Sequence, residues 1–393
     1  MRILAVTTSW PHSEDPAAGK FVRALHTELV KQGHSVTTVF ARHDLTEAIG
    51  FGPWGRTIPT IPTIPDSMRL VGLGGMESIA RVMGVFRAYR AYRDLGASIT
   101  HAVNTQIHDA DVILAHWAAP TGIWAGACVG ESSIPIVAVA HGGDTRLLRR
   151  PILGYLSRRD LRGNLAGLVS TNAEGVRVVG GAARLPPGRI VQTPMGYDDE
   201  FFRPRNTAPS RTVADDAPVV AAGRFIAIKG FDVLIEAMNG VGRRLVLAGD
   251  GLTRGLLAEE AERHGVDLDM PGQLPPQELA QLFHQAALVV VPSRVLYGGT
   301  EGFPVTALEA LACGTPVIAT STGGLPDLFP PSHLVPPDNA VALRAAILKQ
   351  LATPSFPQLA RPLEELTCRA VASRISSLLK YVVSVESERH GAD

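Results

Sequence analysis

Short apolar runs, many of them β-branched, alternate with stretches of helical period along most of this chain, and they do so in two blocks. In the first block, residues 2–7, 35–40, 112–115, 136–140 and 168–170 read as strands, and 21–32 reads as a helix stopped by Gly33. In the second, 219–222, 244–248, 287–291 and 316–319 read as strands, and 231–239, 255–264, 277–285 and 305–312 as helices. Strands alternating with helices predict parallel sheets covered on both faces. The expected fold class is α/β, with two doubly wound domains facing across a cleft. Ligands in such folds sit at the carboxyl ends of strands.

The length agrees with this, because 393 residues is long for one hydrophobic core. Residues 205–218, RNTAPSRTVADDAP, are polar, carry prolines and lack an apolar period, so they are the predicted linker. The expected domains are 1–204 and 219–357, followed by a helix and tail at 358–393. That tail shows one helical pattern over 358–380, with Leu363, Leu366, Val371, Ile375 and Leu378. It is too apolar to stand free in water and is expected to pack back on one domain or across both. Residues 52–66 hold too many prolines for a core element and read as a surface loop or edge excursion. Residues 78–92 read as a helix with arginines outward.

Composition closes several routes. Lys plus Arg and Asp plus Glu are both 37, so no basic excess points to a nucleic-acid partner. Cys128, Cys313 and Cys368 are far apart and odd in number, which suggests neither a disulfide framework nor a metal site and favours a reducing compartment. The first residues, MRILAVTTSW, read as a strand rather than a signal peptide. Residues 112–130 lack Asp, Glu, Lys and Arg, but His116, Pro120 and three glycines suit a buried strand, loop and packed helix better than a membrane span.

Chemistry concentrates after strand ends. Arg224 and Lys229 flank a turn between the strand ending at Ala222 and the helix after Gly230. Arg offers a bidentate fork and Lys a compact charge, so the pair can clamp a diphosphate. An isolated Arg-x4-Lys is most often a solvated loop; here a second anion seat in the same block tips the balance. That seat is EGFPVTALEALACGTPVIATSTGGLPDLF, beginning at Glu301. Its Gly-rich loop supplies unhindered N–H groups at Gly302 and Phe303, and Pro304 suits a first helical turn. Glu309 lies in an apolar helix where a carboxylate needs partners. In the first block, His141 follows a strand and precedes Gly142 and Gly143, with Asp144 next. His116 ends another strand. Gly19 and Lys20 close the loop after the first strand. A lone histidine is more often structural, but the strand-end setting raises the odds for His141.

Together these segments resemble the retaining glycosyltransferase family 4, of GT-B architecture. The resemblance rests on the E-x7-E spacing of Glu301 and Glu309, on the GR-x4-KG element at Gly223, Arg224, Lys229 and Gly230, and on PMGYDDEFFRP at 194–204, which looks like the family's interdomain hinge. It covers nearly the whole chain. It implies two Rossmann-like domains and transfer of a sugar from a nucleoside-diphosphate sugar to an acceptor hydroxyl with the anomeric configuration retained. By resemblance, Arg224 and Lys229 hold the donor diphosphate and Glu309 the ribose. Glu301 and His141 contact the donor sugar, and amides near Gly302 and Phe303 contact sugar or phosphate. Pro304 stands where many relatives have glycine and removes one N–H. Gly19 approaches the diphosphate, while Lys20, His116 and Asp144 are acceptor-side candidates, with solvent exposure or a structural role as their bland readings.

No Asp-x-Asp metal grip stands in the expected role, so no cofactor and no metal are expected. Family frequency favours a UDP-sugar, and the expected acceptor is a small polyol, natural product or glycan. The expected setting is cytoplasmic, with contact at the inner face of a membrane compatible but not favoured: Arg81, Arg87, Arg90 and Arg93 read better as a solvated helix face. The competing readings are a GT-B sugar-nucleotide epimerase or phosphorylase, and a non-catalytic sugar-nucleotide-binding protein.

Overall fold

Apolar strand residues on both faces of a parallel sheet must be covered by helices, and the computed structural model shows this twice. It describes residues 1–11, 19–42, 50–63, 85–129, 134–204, 214, 216–296 and 299–390. The chain forms two compact units, Met1–Met195 with Cys368–Asp393, and Gly196–Thr367. Most of the predicted linker, and residues 78–84 of the predicted arginine-bearing helix, lie outside the described residues.

The first unit's strands are β1 (Arg2–Thr7), β2 (Ser35–Ala41), β3 (Gly50–Gly52), β4 (Gly55–Thr60), β5 (Val112–His116), β6 (Ile136–Ala140), β7 (Gly167–Ser170) and β8 (Ile190–Gln192). They form one sheet in the order β3-β4-β2-β1-β5-β6-β7-β8. All its pairings are parallel except β3 with β4. The proline-rich stretch is therefore partly the edge excursion allowed above: β4 carries Pro59 beside Phe40 of β2, near the margin where a missing N–H is tolerated. The helix expected over 78–92 continues to Gln106. Its inner face carries Leu95, Ile99 and Val103, all buried, at the spacing of one helical stripe. Arg87, Arg90 and Arg93 are exposed. The charge-free run becomes β5, an irregular turn and the helix Ile123–Val129. Among the described residues no helix is long and apolar enough to cross a membrane.

The second unit contains β9 (Val219–Ala222), β10 (Leu245–Ala248), β11 (Leu268–Gly272), β12 (Leu288–Val291), β13 (Val317–Thr320) and β14 (Leu334–Val335). Its sheet is wholly parallel, in the order β11-β10-β9-β12-β13-β14. Each unit is thus a doubly wound, Rossmann-like α/β domain. The division falls at Met195–Gly196 rather than in the polar stretch, because Tyr197 and Phe202 are buried in the second unit's core with Phe283, Leu325 and Leu366.

The tail corrects one expectation. The single helical pattern over 358–380 splits at Thr367. Leu363–Leu366 is a short 3-10 turn with Leu366 buried in the second unit, while the helix Cys368–His390 returns to the first. There it packs on the helix Lys20–Lys31 and on β7 and β8. His34 Nε2 lies 2.7 Å from Ser376 Oγ, and Arg189 of the first unit pairs with Glu386 at 2.8 Å. The apolar periods of the two pieces are continuous in sequence, but they serve different cores.

Candidate active site

In a doubly wound sheet the loops after two adjacent strands diverge where the strand order reverses, and this opens a crevice at their carboxyl ends. In the second unit that point lies between β9 and β12. After β9 the chain turns through Gly223 and Arg224 into a 3-10 turn ending at Lys229. Gly230 then starts the helix Phe231–Met238 with φ of 66°. A Cβ at Gly230 would lie 2.1 Å from the carbonyl oxygen of Pro292, so only glycine lets this loop lie against the end of β12.

That approach delivers Lys229 to Glu301. Lys229 Nζ lies 2.6 Å from Glu301 Oε1, with both side chains 16% exposed. The other carboxylate oxygen accepts a 2.6 Å hydrogen bond from Ser293 Oγ. Ser293 is itself buried at the end of β12, and Thr320 Oγ1 donates to its carbonyl oxygen. Lys229, Ser293, Pro304 and Thr306 line one pocket with Ala222 and Phe231. Arg224 is exposed, and its guanidinium forms no ion pair among the described residues. Glu309 sits in the first turn of the helix Thr306–Ala312 and is half-buried. The carbonyl of Pro304 accepts from Ala307 N at 3.2 Å, so Pro304 leads into the helix just ahead of its first residue. Phe303 is half-buried and Gly302 buried. Gly302's carbonyl accepts from Gly324 N at 2.8 Å, which ties the Glu301 loop to the turn after β13.

The first unit's reversal lies between β1 and β5. Gly19 closes the loop after β1 with φ of 62°, and a Cβ there would lie 2.3 Å from the carbonyl oxygen of Ser9. Lys20 begins the following helix and is exposed. His116 ends β5 and His141 follows β6. His116 Nδ1 lies 3.1 Å from His141 Nε2, and His116 Nε2 lies 3.1 Å from His26 Nε2. His26 and His116 are fully buried and His141 is half-buried. The His141 ring packs against Phe21 and Trp117, each at 4.9 Å between centroids, and those two rings also meet each other edge-on at 6.3 Å. Burial lowers His26 and His141 to about 3. It also holds His116 well below the ordinary histidine value, with charge repulsion from its two neighbours adding to the effect. The rings are therefore neutral near pH 7.

Asp144 is fully buried. Its carboxylate accepts from the backbone N–H of His141 at 2.8 Å and of Ala119 at 3.2 Å. Burial raises it to about 6 although those N–H groups pull it down. The side chain ties the loop after β5 to the loop after β6, so the structure gives it a holding role rather than a face toward an acceptor. His116, with no exposed surface, likewise stands behind His141.

Two contributors, Ser293 and Arg294, escape the sequence reading, and a third, Trp117, is legible there only as one of four first-block tryptophans open to acceptor-pocket or packing roles. Ser293 could have been noticed as the polar residue closing β12. Trp117 carries φ of 71°, unusual for a bulky residue, and packs on His141. Arg294 lies 2.8 Å from both Asp232 and Asp338 and braces the helix that follows Lys229; nothing in the one-dimensional pattern pairs those residues. Among the described residues no group of three or more His, Cys, Asp or Glu side chains is arranged to hold a metal ion.

Comparison with known proteins agrees with the two-block reading. The family described as "Glycosyltransferase Family 4" matches residues 18–201, and "Glycosyl transferases group 1" matches 203–364. The chain is 39% identical over 155 residues to a D-inositol 3-phosphate glycosyltransferase of Segniliparus rotundus, covering 36% of this chain and 33% of that protein. It is 35% identical over 172 residues to a Mycobacterium marinum protein of the same description, covering 40% and 35%. The matched region is thus about a third of those relatives' length. In fold the chain is similar to a sucrose-phosphate synthase of Thermosynechococcus elongatus, with a TM-score of 0.65 at 21% identity over 100% of this chain and 98% of that one. It is also similar to a UDP-forming trehalose-phosphate synthase of Burkholderia xenovorans, with a TM-score of 0.66 at 13% identity and the same coverage.

Proposed function

We propose, from the premise that this chain is a GT-B-fold glycosyltransferase related to family 4 and group 1, that it moves a hexosyl group from a nucleoside-diphosphate sugar to an acceptor hydroxyl with retention of anomeric configuration. The observation that carries this reading is the Lys229–Glu301–Ser293 cluster beside exposed Arg224, at the strand reversal of the second unit.

Arg224 and Lys229 are cations on one turn, and a departing diphosphate gains negative charge as its bond to the sugar breaks. Cations already in place stabilise that charge most in the transition state. Lys229 is held by Glu301, and Glu301 by Ser293, so the pair needs little reorganisation before reaction. Glu301 sets a carboxylate beside the ammonium, where it serves sugar hydroxyls and the cationic character developing at the anomeric carbon. Glu309 accepts ribose hydroxyls. In the first unit, neutral His141 offers a hydrogen bond to the donor sugar without repelling a cation.

In the proposed step the bond from anomeric carbon to diphosphate oxygen breaks, and a bond from acceptor oxygen to that carbon forms on the same face. The acceptor's proton passes to the leaving diphosphate. Asp144 is committed to backbone N–H groups and is no nucleophile in this scheme. A UDP-sugar is the proposed donor. The Segniliparus and Mycobacterium relatives are described as inositol-phosphate glycosyltransferases, which favours a small polyol or its phosphate as acceptor. The proposed setting is cytoplasmic, with no metal required.

The test is transfer from an α-linked nucleotide sugar to a panel of polyols, with the product read by anomeric NMR. An α-linked product is expected. A β-linked product overturns retention, and donor binding without transfer or hydrolysis favours the non-catalytic reading.

A further inference from the structure

The first unit contains a line of hydrogen bonds longer than the proposed reaction uses. Thr38 Oγ1 lies 2.9 Å from His26 Nδ1. His26 Nε2 lies 3.1 Å from His116 Nε2, and His116 Nδ1 lies 3.1 Å from His141 Nε2. Thr38, His26 and His116 have no solvent-accessible surface. The planes of His116 and His141 are 9° apart, and those of His26 and His116 are 56° apart.

A neutral imidazole has one N–H and one lone pair. Each contact between two rings must hold a single proton, so the line has only two complete arrangements. In one, the Thr38 hydroxyl donates to His26 Nδ1, His26 Nε2–H donates to His116, and His116 Nδ1–H donates to His141. The remaining proton of His141 then sits on Nδ1. In the other, every bond runs backward, Thr38 accepts, and His141 Nδ1 is bare.

The far end decides between them. Among the described residues the Thr38 hydroxyl has His26 as its hydrogen-bond partner and no other. If His26 donated, the buried hydroxyl proton would have no acceptor among the described residues, and buried polar groups left unmatched are penalised. If the hydroxyl donates, every proton in the line is used.

We propose that Thr38, His26 and His116 are positioning residues that fix His141 as its Nδ1–H tautomer, so that this ring presents a hydrogen-bond donor to its ligand. The chemistry that matches is an oxygen lone pair, such as a sugar hydroxyl or ring oxygen, and not an ammonium or amide N–H. The ring cannot turn over without breaking the bond to His116 and displacing Phe21 and Trp117, while Asp144 holds the His141 backbone. The functional use of this donor rests on the glycosyltransferase reading; the tautomer does not.

The test is ring nitrogen-15 NMR of the full chain labelled at histidine, with His141 assigned by its loss in His141→Gln. The wild type is expected to show a protonated Nδ1 and a bare Nε2 at His141. Thr38→Ser should keep that signature, and Thr38→Val should move His141 toward the Nε2–H form. A bare Nδ1 in the wild type overturns the proposal, even if Thr38→Val fails to fold. A Thr38→Val spectrum identical to wild type overturns it as well. Because no turnover is needed, an inactive protein with an Nδ1–H His141 contradicts only the functional reading. An active protein with a bare Nδ1 contradicts only this one.

Discussion

The two units place opposite chemistry at the same topological position. At its strand reversal the second unit keeps charge: a Lys229–Glu301 pair, a serine holding the carboxylate and an exposed arginine. At its own reversal the first unit buries a line of three neutral histidines, flanked by Phe21, Trp10 and Trp117, beside a carboxylate committed to backbone, and leaves Lys20 exposed at the start of the next helix. A diphosphate needs cations; a sugar near a developing cation needs hydrogen bonds without positive charge. Under the proposed function, the charged reversal of the second unit suits a diphosphate and the neutral histidine line of the first suits a hydroxyl-bearing ligand.

The largest break is expected at Lys229. Lys229→Ala removes a cation and leaves Glu301 uncompensated. Transfer should fall about 10²–10³-fold in kcat/KM, the size seen when one charge-stabilising group is lost. Stability should fall as well, since stranding one member of a poorly solvated pair is costly. The double variant Lys229→Met with Glu301→Gln sharpens this: the melting temperature should recover and transfer should not. If transfer recovers too, the pair is structural.

Gly230→Ala attacks the geometry behind that charge. The φ of 66° and the Pro292 carbonyl oppose a Cβ, and the expected loss exceeds about 1 kcal/mol. Hydrogen exchange should locate it in the second unit and leave the first unchanged.

His141→Gln should act on the sugar end alone. One hydrogen bond is worth about 1 kcal/mol, so kcat/KM should drop by somewhat less than tenfold, with the affinity for the nucleoside diphosphate alone unchanged. Equal losses for both ligands would place His141 on the diphosphate instead. Glu309→Ala should do the reverse: it should weaken the nucleoside diphosphate relative to inorganic pyrophosphate by a similar factor, and unchanged affinity would end its ribose assignment.

Acid separates the units more gently. The histidines ordinarily titrate near 6.5 and are lowered to about 3 at His26 and His141. The unfolded chain therefore binds more protons than the native one in that window, and stability falls as pH drops from about 6.5 toward 3. Asp144, raised to about 6, works the other way, because its native form takes up a proton first. Three histidines outweigh it, so the first unit should lose exchange protection before the second. His26→Leu should reduce that sensitivity.

Much of this comparison is legible in one dimension because strand ends and glycines mark it. Gly223 and Gly230 bracket Arg224 and Lys229, and His141 stands between β6 and two glycines. Local pattern could not reveal which side chains pair across strands. The Lys229–Glu301 bond joins loops from different strands, and His26, on the face of the helix Lys20–Lys31, looks like any core-facing residue until β2 and β5 bring Thr38 and His116 to it. The tail misled for a related reason: Leu366 and Val371 share one period, and periodicity does not say which core a residue enters. Edge strands β11 and β14 were missed because one contains Pro271 and Gly272 and the other is two residues long.

The most direct test is thermal stabilisation by UDP, GDP and dTDP and their sugars, compared between wild type and Lys229→Met. The account predicts that one nucleoside diphosphate, expected to be UDP, raises the wild-type melting temperature in proportion to its binding and that the variant loses most of that rise. No rise with any of them, or an equal rise in the variant, would contradict the assignment of Lys229 and its cluster to the donor diphosphate.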